Sequence, residues 1–112
     1  MDDFHRQDGS LWCEESRVED LAARFGTPLY VYSQRTFAEH YRKIDQAFAE
    51  LPHLICYSLK ANGNLGILRV LAEMGSGADV VSGGELWKAR RAGIPAERIV
   101  YSGVGKTLPE LE

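Results

Sequence analysis

Apolar residues recur along the chain at two spacings, one typical of helices and the other of strands. Val18, Leu21, Ala22 and Phe25 stand at the three- and four-residue intervals that place side chains on one face of a helix. Further along, short unbroken runs of apolar and β-branched residues are typical of strands that are buried on both faces. These runs predict strands over residues 29–32, 54–59, 78–82 and 99–102, and a weaker run predicts one over 11–13.

Helix boundaries are predicted from the residues that cap and stop helices. A serine or asparagine at the N-cap accepts a hydrogen bond from a free backbone N–H, and a glycine favours the backbone conformation that ends a helix. The predicted N-caps are Ser33 and Asn64, and the predicted stops are Gly26, Gly75 and Gly93. Two capping boxes, each a hydroxyl followed three residues later by a carboxylate, are predicted at Ser16 with Glu19 and at Thr107 with Glu110.

Strands and helices alternate with a repeat of about twenty residues, which is typical of βα units with short loops. Such alternation predicts an α/β fold with a parallel sheet and right-handed crossovers. An open doubly wound sheet and a (β/α)8 TIM-type barrel both satisfy this pattern. A barrel takes about 250 residues, whereas this chain has 112 and ends inside a capping signal. We therefore expect a truncated piece of a longer α/β domain.

Composition and charge exclude several classes of function. The net charge is −3 with acidic and basic residues interleaved, so no basic stripe is available to bind nucleic acid. No apolar run approaches the length of a transmembrane helix, and the acidic N-terminus does not resemble a secretion signal. Cys13 and Cys56 lack the spacing of a metal or redox site. We expect a cytoplasmic protein with two reduced thiols, no bound metal, and no nucleic-acid or membrane partner.

The candidate chemistry lies where the predicted strands end, because both architectures bind ligands at the carboxyl ends of parallel strands. Ser58 and Lys60 come at the end of one strand, Asp79 lies in the next, and Ser102 ends the third. Lys60 is the strongest candidate. A lysine part-buried after an apolar strand loses hydration, which favours the neutral amine that attacks an aldehyde to form an imine. A solvated lysine that merely ends a strand is the alternative, and position alone does not decide between them.

The other polar positions leave alternatives open. Asp79 either pairs with a cation or orients a cofactor ring, or it accepts hydrogen bonds from nearby backbone. The turn at residues 82–85 either binds an anion at a helix N-terminus or only reverses the chain. The Gly-Lys-Thr at 105–107 resembles the end of a phosphate-binding loop, but Val100 stands where that loop needs its first glycine. A nucleoside-triphosphate site is therefore not expected.

Four segments in order resemble one family of enzymes. They are FGTPLYVY at 25–32, YSLKAN at 57–62, GADVVSGGEL at 77–86 and IVYSGVGKT at 99–107. At this spacing they resemble the N-terminal part of the diaminopimelate decarboxylase family, which are pyridoxal-phosphate enzymes with an alanine-racemase-like barrel. The resemblance covers nearly the whole chain and favours the (β/α)8 barrel over the open sheet. It implies that residues 1–27 contribute a strand of a β domain plus a helix, and that residues 28–112 form the first βα units of the cofactor-binding barrel.

The resemblance also implies roles for particular residues. Lys60 would bind pyridoxal 5′-phosphate as a Schiff base. Asp79 would lie beside the cofactor and the lysine amine, and Ser58 would approach the cofactor ring from the strand end. Glu85 would support these residues without contacting the cofactor. The implied reaction converts meso-2,6-diaminoheptanedioate, a small amino-acid substrate, to L-lysine and CO2 in a homodimer.

Three other functions are compatible with the same residues. A sister decarboxylase would act on ornithine, arginine or carboxynorspermidine. A non-catalytic carrier would keep Lys60 and bind pyridoxal phosphate without releasing CO2, and a nucleotide-binding α/β domain would form no Schiff base. In the family, the glycine-rich phosphate turn, the acid at the pyridine nitrogen, the ring-stacking histidine and the cross-subunit cysteine lie later than these 112 residues. The segment alone is therefore not expected to turn over substrate.

Overall fold

The computed structural model describes residues 3–112, which form two three-stranded sheets and five α-helices. The first sheet is antiparallel and holds, in chain order, β1 (Phe4–Gln7), β2 (Ser10–Cys13) and β3 (Ser16–Arg17). Asp8 and Gly9 join β1 to β2, and their φ angles are both positive, at 50° and 81°. An Asp-Gly pair favours this two-residue hairpin turn. The prediction of a single strand over 11–13 therefore missed a hairpin that the Asp-Gly pair signals.

Helix α1 (Val18–Phe25) follows β3 and confirms the helix predicted from its apolar spacing. Its start differs from the prediction. Ser16 pairs with Cys13 in the sheet, so the N-cap is Arg17 and no side chain caps the helix. The predicted capping box at Ser16 is wrong because strand pairing holds that serine. The helix ends at Gly26, whose φ of 83° confirms that a glycine is needed there.

The second sheet is parallel, as the alternation of strands and helices predicts. Its strands, in spatial order, are β4 (Cys56–Ser58), β5 (Gly77–Val80) and β6 (Ile99–Tyr101). The other helices are α2 (Gln34–Ala47), α3 (Leu65–Glu73), α4 (Gly83–Ala92) and α5 (Leu108–Leu111), with a 3-10 turn at Ala96–Arg98. No helix within residues 3–112 is long and apolar enough to cross a membrane. The three strands are shorter than predicted because pairing, and not apolar character, sets their ends.

No strand forms over residues 29–32, so the prediction of a strand there is wrong for the described chain. Tyr30 and Tyr32 are 83% and 50% exposed. A strand needs a hydrogen-bonded neighbour, and within residues 3–112 β4 pairs only with β5. The strand β4 is therefore an edge strand of the described sheet.

The helix caps predicted at Ser33 and Asn64 are confirmed. Ser33 Oγ accepts a hydrogen bond from Thr36 N–H at 3.0 Å, and Asn64 Oδ1 accepts one from Gly66 N–H at 2.8 Å. The predicted stop at Gly93 is confirmed as well, since its φ of 100° and ψ of 10° are left-handed. Side-chain caps thus place the starts of α2 and α3, and the left-handed backbone of a glycine places the end of α4.

The buried core lies between the parallel sheet and helices α3 and α4. Seven residues form one cluster: Leu59, Leu68, Ala78, Val80, Ala89, Ala92 and Ile94. Leu59 directly follows β4, and its side chain is only 2% exposed. Its burial ties the carboxyl end of β4 to the core, and this is the end at which the candidate site lies.

Candidate functional site

The carboxyl ends of the three parallel strands meet at one edge of the sheet, as predicted. Ser58 of β4 and Asp79 of β5 are direct register partners. Backbone bonds continue this pairing past the strands, since Leu59 N–H donates to Asp79 O at 3.1 Å and Ser102 N–H donates to Val80 O at 2.9 Å. The edge therefore brings Ser58 and Asp79 together, with Ser102 on the far side of Asp79.

Asp79 is the centre of a small polar cluster. Ser102 Oγ donates a hydrogen bond to Asp79 Oδ1 at 2.5 Å. This bond is the main cause that lowers the pKa of Asp79, and the Ser58 hydroxyl and the positive charge of Lys60 lower the pKa further. Within residues 3–112, the buried Ser58 Oγ has no hydrogen-bond partner of normal geometry. Asp79 is therefore ionised at neutral pH, beside a hydroxyl that retains unused hydrogen-bonding capacity.

Lys60 lies on a tight turn directly after β4. Ala61 N–H donates to Ser58 O at 3.1 Å, and Leu59 packs in the core. Lys60 itself is exposed, so the predicted partial burial is wrong. Because Leu59 is anchored in the core, the next side chain emerges at the sheet edge, where the described elements leave it open to solvent. Its charge nevertheless reaches Asp79 and contributes to the lowered pKa of that carboxylate.

Three hydrogen bonds hold the loop that follows Lys60. Tyr57 Oη donates to Asn62 O at 3.2 Å, Asn64 N–H donates to Asn62 Oδ1 at 3.0 Å, and the Asn64 side chain caps α3. The Tyr57 phenol is partly buried, and burial raises its pKa. Lys60 is thus carried on a short segment held at both ends, by the packing of Leu59 and by the cap at Asn64. Such support limits the positions available to the Lys60 amine.

The turn at residues 82–85 does bind an anion, but that anion is a carboxylate of the chain itself. Gly83 N–H, at the start of α4, donates to Glu110 Oε1 at 2.6 Å. A carboxylate at this position satisfies an unpaired N–H group and interacts favourably with the helix dipole. Ser82 Oγ caps the same helix by accepting from Glu85 N–H at 3.2 Å. Gly83 and Glu110 are 27 residues apart, so no local sequence pattern indicated their contact.

Glu110 also holds the loop before α5. Its Oε2 accepts hydrogen bonds from Thr107 N–H and Thr107 Oγ1, both at 2.8 Å. The capping box predicted at Thr107 with Glu110 is confirmed, and the Thr107 hydroxyl also donates to the Glu110 carboxylate. The bonds from Thr107, followed by the one from Gly83, lower the pKa of Glu110 to about 2. The carboxylate therefore joins the turn before α4 to the loop before α5.

Replacing Glu110 by glutamine is expected to remove a pH-dependent part of the stability. The pKa of Glu110 is about 2 in the folded chain, against about 4.3 in an unfolded one. The carboxylate therefore stabilises the fold at neutral pH, and this contribution disappears as the pH falls from about 5 to about 2. Urea-unfolding midpoints of the native and E110Q proteins should differ at neutral pH and converge in acid.

The matched control for this experiment is E50Q, because Glu50 is exposed in the turn after α2. It should follow the native protein at every pH. Identical midpoints for the native and E110Q proteins at neutral pH would contradict the role assigned to Glu110.

Lys106 is engaged within its own loop. Its ammonium donates to Gly103 O at 2.7 Å and lies 5.6 Å from the centre of the Tyr101 ring. The loop also approaches β5 closely, since a Cβ added to Gly103 would lie 2.7 Å from Val81 O. These contacts are typical of a tight turn that reverses the chain. The sequence of the loop also lacks the first glycine of a phosphate-binding loop.

Relatives with similar sequences span nearly the whole chain. Residues 34–112 match the family model described as the pyridoxal-dependent decarboxylase, pyridoxal binding domain. The diaminopimelate decarboxylase of Vibrio cholerae is 50% identical over 113 residues, and that of Aquifex aeolicus is 52% identical over 105 residues. These matches cover 100% and 94% of this chain but 27% and 24% of the relatives. The chain thus spans about a quarter of the length of the relatives it matches.

Solved structures have the same fold over the matched region. The crystal structure of diaminopimelate decarboxylase from M. jannaschii superimposes with a TM-score of 0.92 at 38% identity, covering 97% of this chain and 26% of that one. An Aquifex aeolicus crystal structure superimposes with a TM-score of 0.91 at 50% identity, covering 97% of this chain and 27% of that one. The predicted fold class, the N-terminal portion of the decarboxylase barrel, is therefore confirmed. Both the matched pyridoxal-binding domain and this shared fold show that the chain belongs to the pyridoxal-dependent decarboxylase family.

Proposed function

We propose that Lys60 binds the aldehyde carbon of pyridoxal 5′-phosphate as a Schiff base. One observation carries this proposal: Lys60 lies on a supported turn, accessible to solvent and close to the ionised carboxylate of Asp79, within a pyridoxal-binding domain. An accessible amine can attack an aldehyde. A neighbouring carboxylate then stabilises positive charge on the nitrogen that results. Lys60 meets both conditions.

The residues around Lys60 fit this cofactor. Ser58 Oγ is buried and has no hydrogen-bond partner in the described part of the chain, so a ligand at the sheet edge would meet a hydroxyl that is free to bond. In this proposal Ser58 would approach the cofactor ring from the strand end, and Asp79 would lie beside the cofactor and the Lys60 amine. Glu85 Oε2 accepts a hydrogen bond from Val81 N–H at 2.9 Å and so holds the turn behind them.

When bound, pyridoxal phosphate supplies a conjugated ring that takes up the electron pair left by the departing CO2. The residues of this chain position the reacting groups. Lys60 would attach the cofactor to the carboxyl end of β4. Asp79 would keep a negative charge beside the nitrogen that joins Lys60 to the cofactor, and this charge would stabilise positive charge there. Ser58 would offer its hydroxyl hydrogen to the ring and so help to orient it.

We propose meso-2,6-diaminoheptanedioate as the substrate, with L-lysine and CO2 as the products. Relatives named diaminopimelate decarboxylase support this choice through identities of 50% and 52%, whereas the lysine decarboxylase of Selenomonas ruminantium is 29% identical. The M. jannaschii diaminopimelate decarboxylase has also been crystallised with L-lysine. A sister decarboxylase is the alternative, and it would release CO2 from ornithine, arginine or carboxynorspermidine.

This activity is proposed for a full-length protein, since the chain spans about a quarter of the length of its relatives. Residues 1–27 would join a β domain, and residues 28–112 would begin the cofactor-binding barrel. The groups that grip the phosphate and the pyridine nitrogen of the cofactor would come from the remainder of the protein. We further propose that the full-length protein is a cytoplasmic homodimer.

Borohydride reduction of the full-length protein with pyridoxal phosphate tests the assignment. Reduction converts the Schiff base into a stable amine, and peptide mass spectrometry then locates the modified lysine. We expect the label on Lys60. A label on Lys88 or Lys106 instead would contradict the proposal, and a protein labelled on Lys60 that releases no CO2 from any of the four substrates would be a non-catalytic carrier.

A further inference from the structure

Ser102 holds the Asp79 side chain from the far strand. Its Oγ donates to Asp79 Oδ1 at 2.5 Å. Its backbone is fixed as well, because Ser102 N–H donates to Val80 O at 2.9 Å. Both bonds cross from the end of β6 to β5. The direction of the hydroxyl toward the carboxylate is therefore set by the pairing of the two strands.

The neighbouring glycine strengthens this restraint. A Cβ added to Gly103 would lie 2.7 Å from Val81 O, so the backbone after Ser102 runs in close contact with the end of β5. On the other side, Asp79 has Ser58 of β4 as its register partner. The carboxylate consequently lies between two serine hydroxyls. That of Ser102 makes a short hydrogen bond to it, whereas the Ser58 hydroxyl has no hydrogen-bond partner among residues 3–112.

We propose that Ser102 is a positioning residue, whose hydroxyl holds the Asp79 carboxylate as an ionised group in a fixed orientation at the sheet edge that carries Lys60. The inference rests on the proposed function, in which that amine binds the cofactor. Ser102 acts only through Asp79. A hydroxyl that donates to a carboxylate favours its ionised form and limits its rotation, so removal of the hydroxyl loosens the carboxylate and favours its protonation.

The other titratable groups that interact with Asp79 within residues 3–112 are Lys60 and Cys56. Lys60 lies after β4 and lowers the pKa of Asp79, whereas Cys56 lies in β4 and has its own pKa raised by burial and by Asp79. Neither group changes in a Ser102 variant. A shift in the titration of Asp79 on substitution of Ser102 would therefore report the lost hydrogen bond.

The first measurement follows the Asp79 carboxyl directly, in the full-length protein without cofactor. Isotope-edited infrared spectra of protein labelled with 13C-aspartate, with the D79N spectrum subtracted, give the titration midpoint of Asp79. We expect S102A to raise this midpoint by about one pH unit, and S102T, which restores the hydroxyl, to return it toward the native value. S16A is the matched control, since Ser16 is exposed in β3, and it should leave the midpoint unchanged.

The second measurement is the affinity for pyridoxal phosphate as a function of pH, followed by the absorbance of the bound cofactor. An ionised Asp79 would stabilise positive charge on the nitrogen that joins Lys60 to the cofactor, so affinity should fall as Asp79 becomes protonated. Because S102A raises the pKa of Asp79, the acid limb of its profile should move to higher pH by about one unit. The D79N protein should lack this limb altogether.

The outcomes separate the two proposals. An unchanged Asp79 midpoint in S102A overturns the positioning role, and so does a raised midpoint that leaves the acid limb of cofactor binding where it was. A native protein that takes no label on Lys60 overturns the proposed function, while the carboxyl titration still decides whether Ser102 controls Asp79. Restoration of both measurements by S102T supports the positioning role, because a purely steric role would not depend on the hydroxyl.

Discussion

Replacing Lys60 by alanine in the full-length protein is expected to abolish cofactor attachment and to lower decarboxylation by on the order of 1,000-fold or more. The amine is the group proposed to bond to the cofactor aldehyde, and the neighbouring side chains Asp79 and Ser58 cannot form that bond. The measurements are the absorbance of bound cofactor, the mass of the borohydride-reduced peptide, and the release of CO2 from meso-2,6-diaminoheptanedioate. All three signals should disappear together.

Two further variants sharpen this test. K60R keeps a positive charge beside Asp79 but lacks an amine able to form the Schiff base, so it should lose the label as completely as K60A. K88A removes a lysine that lies close to the same loop, where a Cβ added to Gly63 would meet Lys88 Nζ at 3.2 Å. That variant should keep the label on Lys60. Borohydride labelling that survives in K60A would show that another residue binds the cofactor.

Replacing Gly77 by alanine is expected to destabilise the protein by about 3 kcal/mol, at the upper end of the range for overpacked sites. A Cβ at this position would lie 2.4 Å from Arg98 O and 2.8 Å from Cys56 Sγ. The nearer obstacle is a backbone carbonyl, which cannot rotate away as a side chain can. The start of β5 must therefore shift relative to β6, and Asp79, two residues later, must shift with it.

The G77A prediction is measured as a drop in the urea-unfolding midpoint of the full-length protein, accompanied by weaker binding of pyridoxal phosphate. G105A is the matched control, because an added Cβ at Gly105 meets no atom within 4 Å. Its stability should change by less than about 0.5 kcal/mol. Equal stabilities for G77A and G105A would mean that the sheet accommodates the methyl group without strain.

The caps at Ser33 and Asn64 were predictable because a cap depends on a side chain and a backbone group only two or three residues away. Ser16 shows the limit of this argument. Its spacing to Glu19 satisfies a capping box, yet pairing with Cys13 places it in a strand. Where local chemistry and strand pairing compete for the same residue, the sequence pattern alone does not reveal which one prevails.

Residues 29–32 show the same limit for strands. Their aromatic and β-branched side chains favour extended structure, but a strand also needs a neighbour, and the described chain gives them none. The parallel sheet was predictable for the opposite reason. Its strands are joined by βα units, and connections of that kind leave a parallel arrangement as the outcome.

For the candidate site, the sequence by itself determined which residues come together. The ends of parallel strands meet at one edge, so Ser58 and Asp79 had to become neighbours near Lys60 once the βα units formed. Tertiary structure alone decided how these groups are held. The contact of Ser102 with Asp79 spans 23 residues and that of Glu110 with Gly83 spans 27, and the exposure of Lys60 depends on which elements cover the edge. Such features follow from register and packing between distant segments, and hydrophobic periodicity carries no information about either.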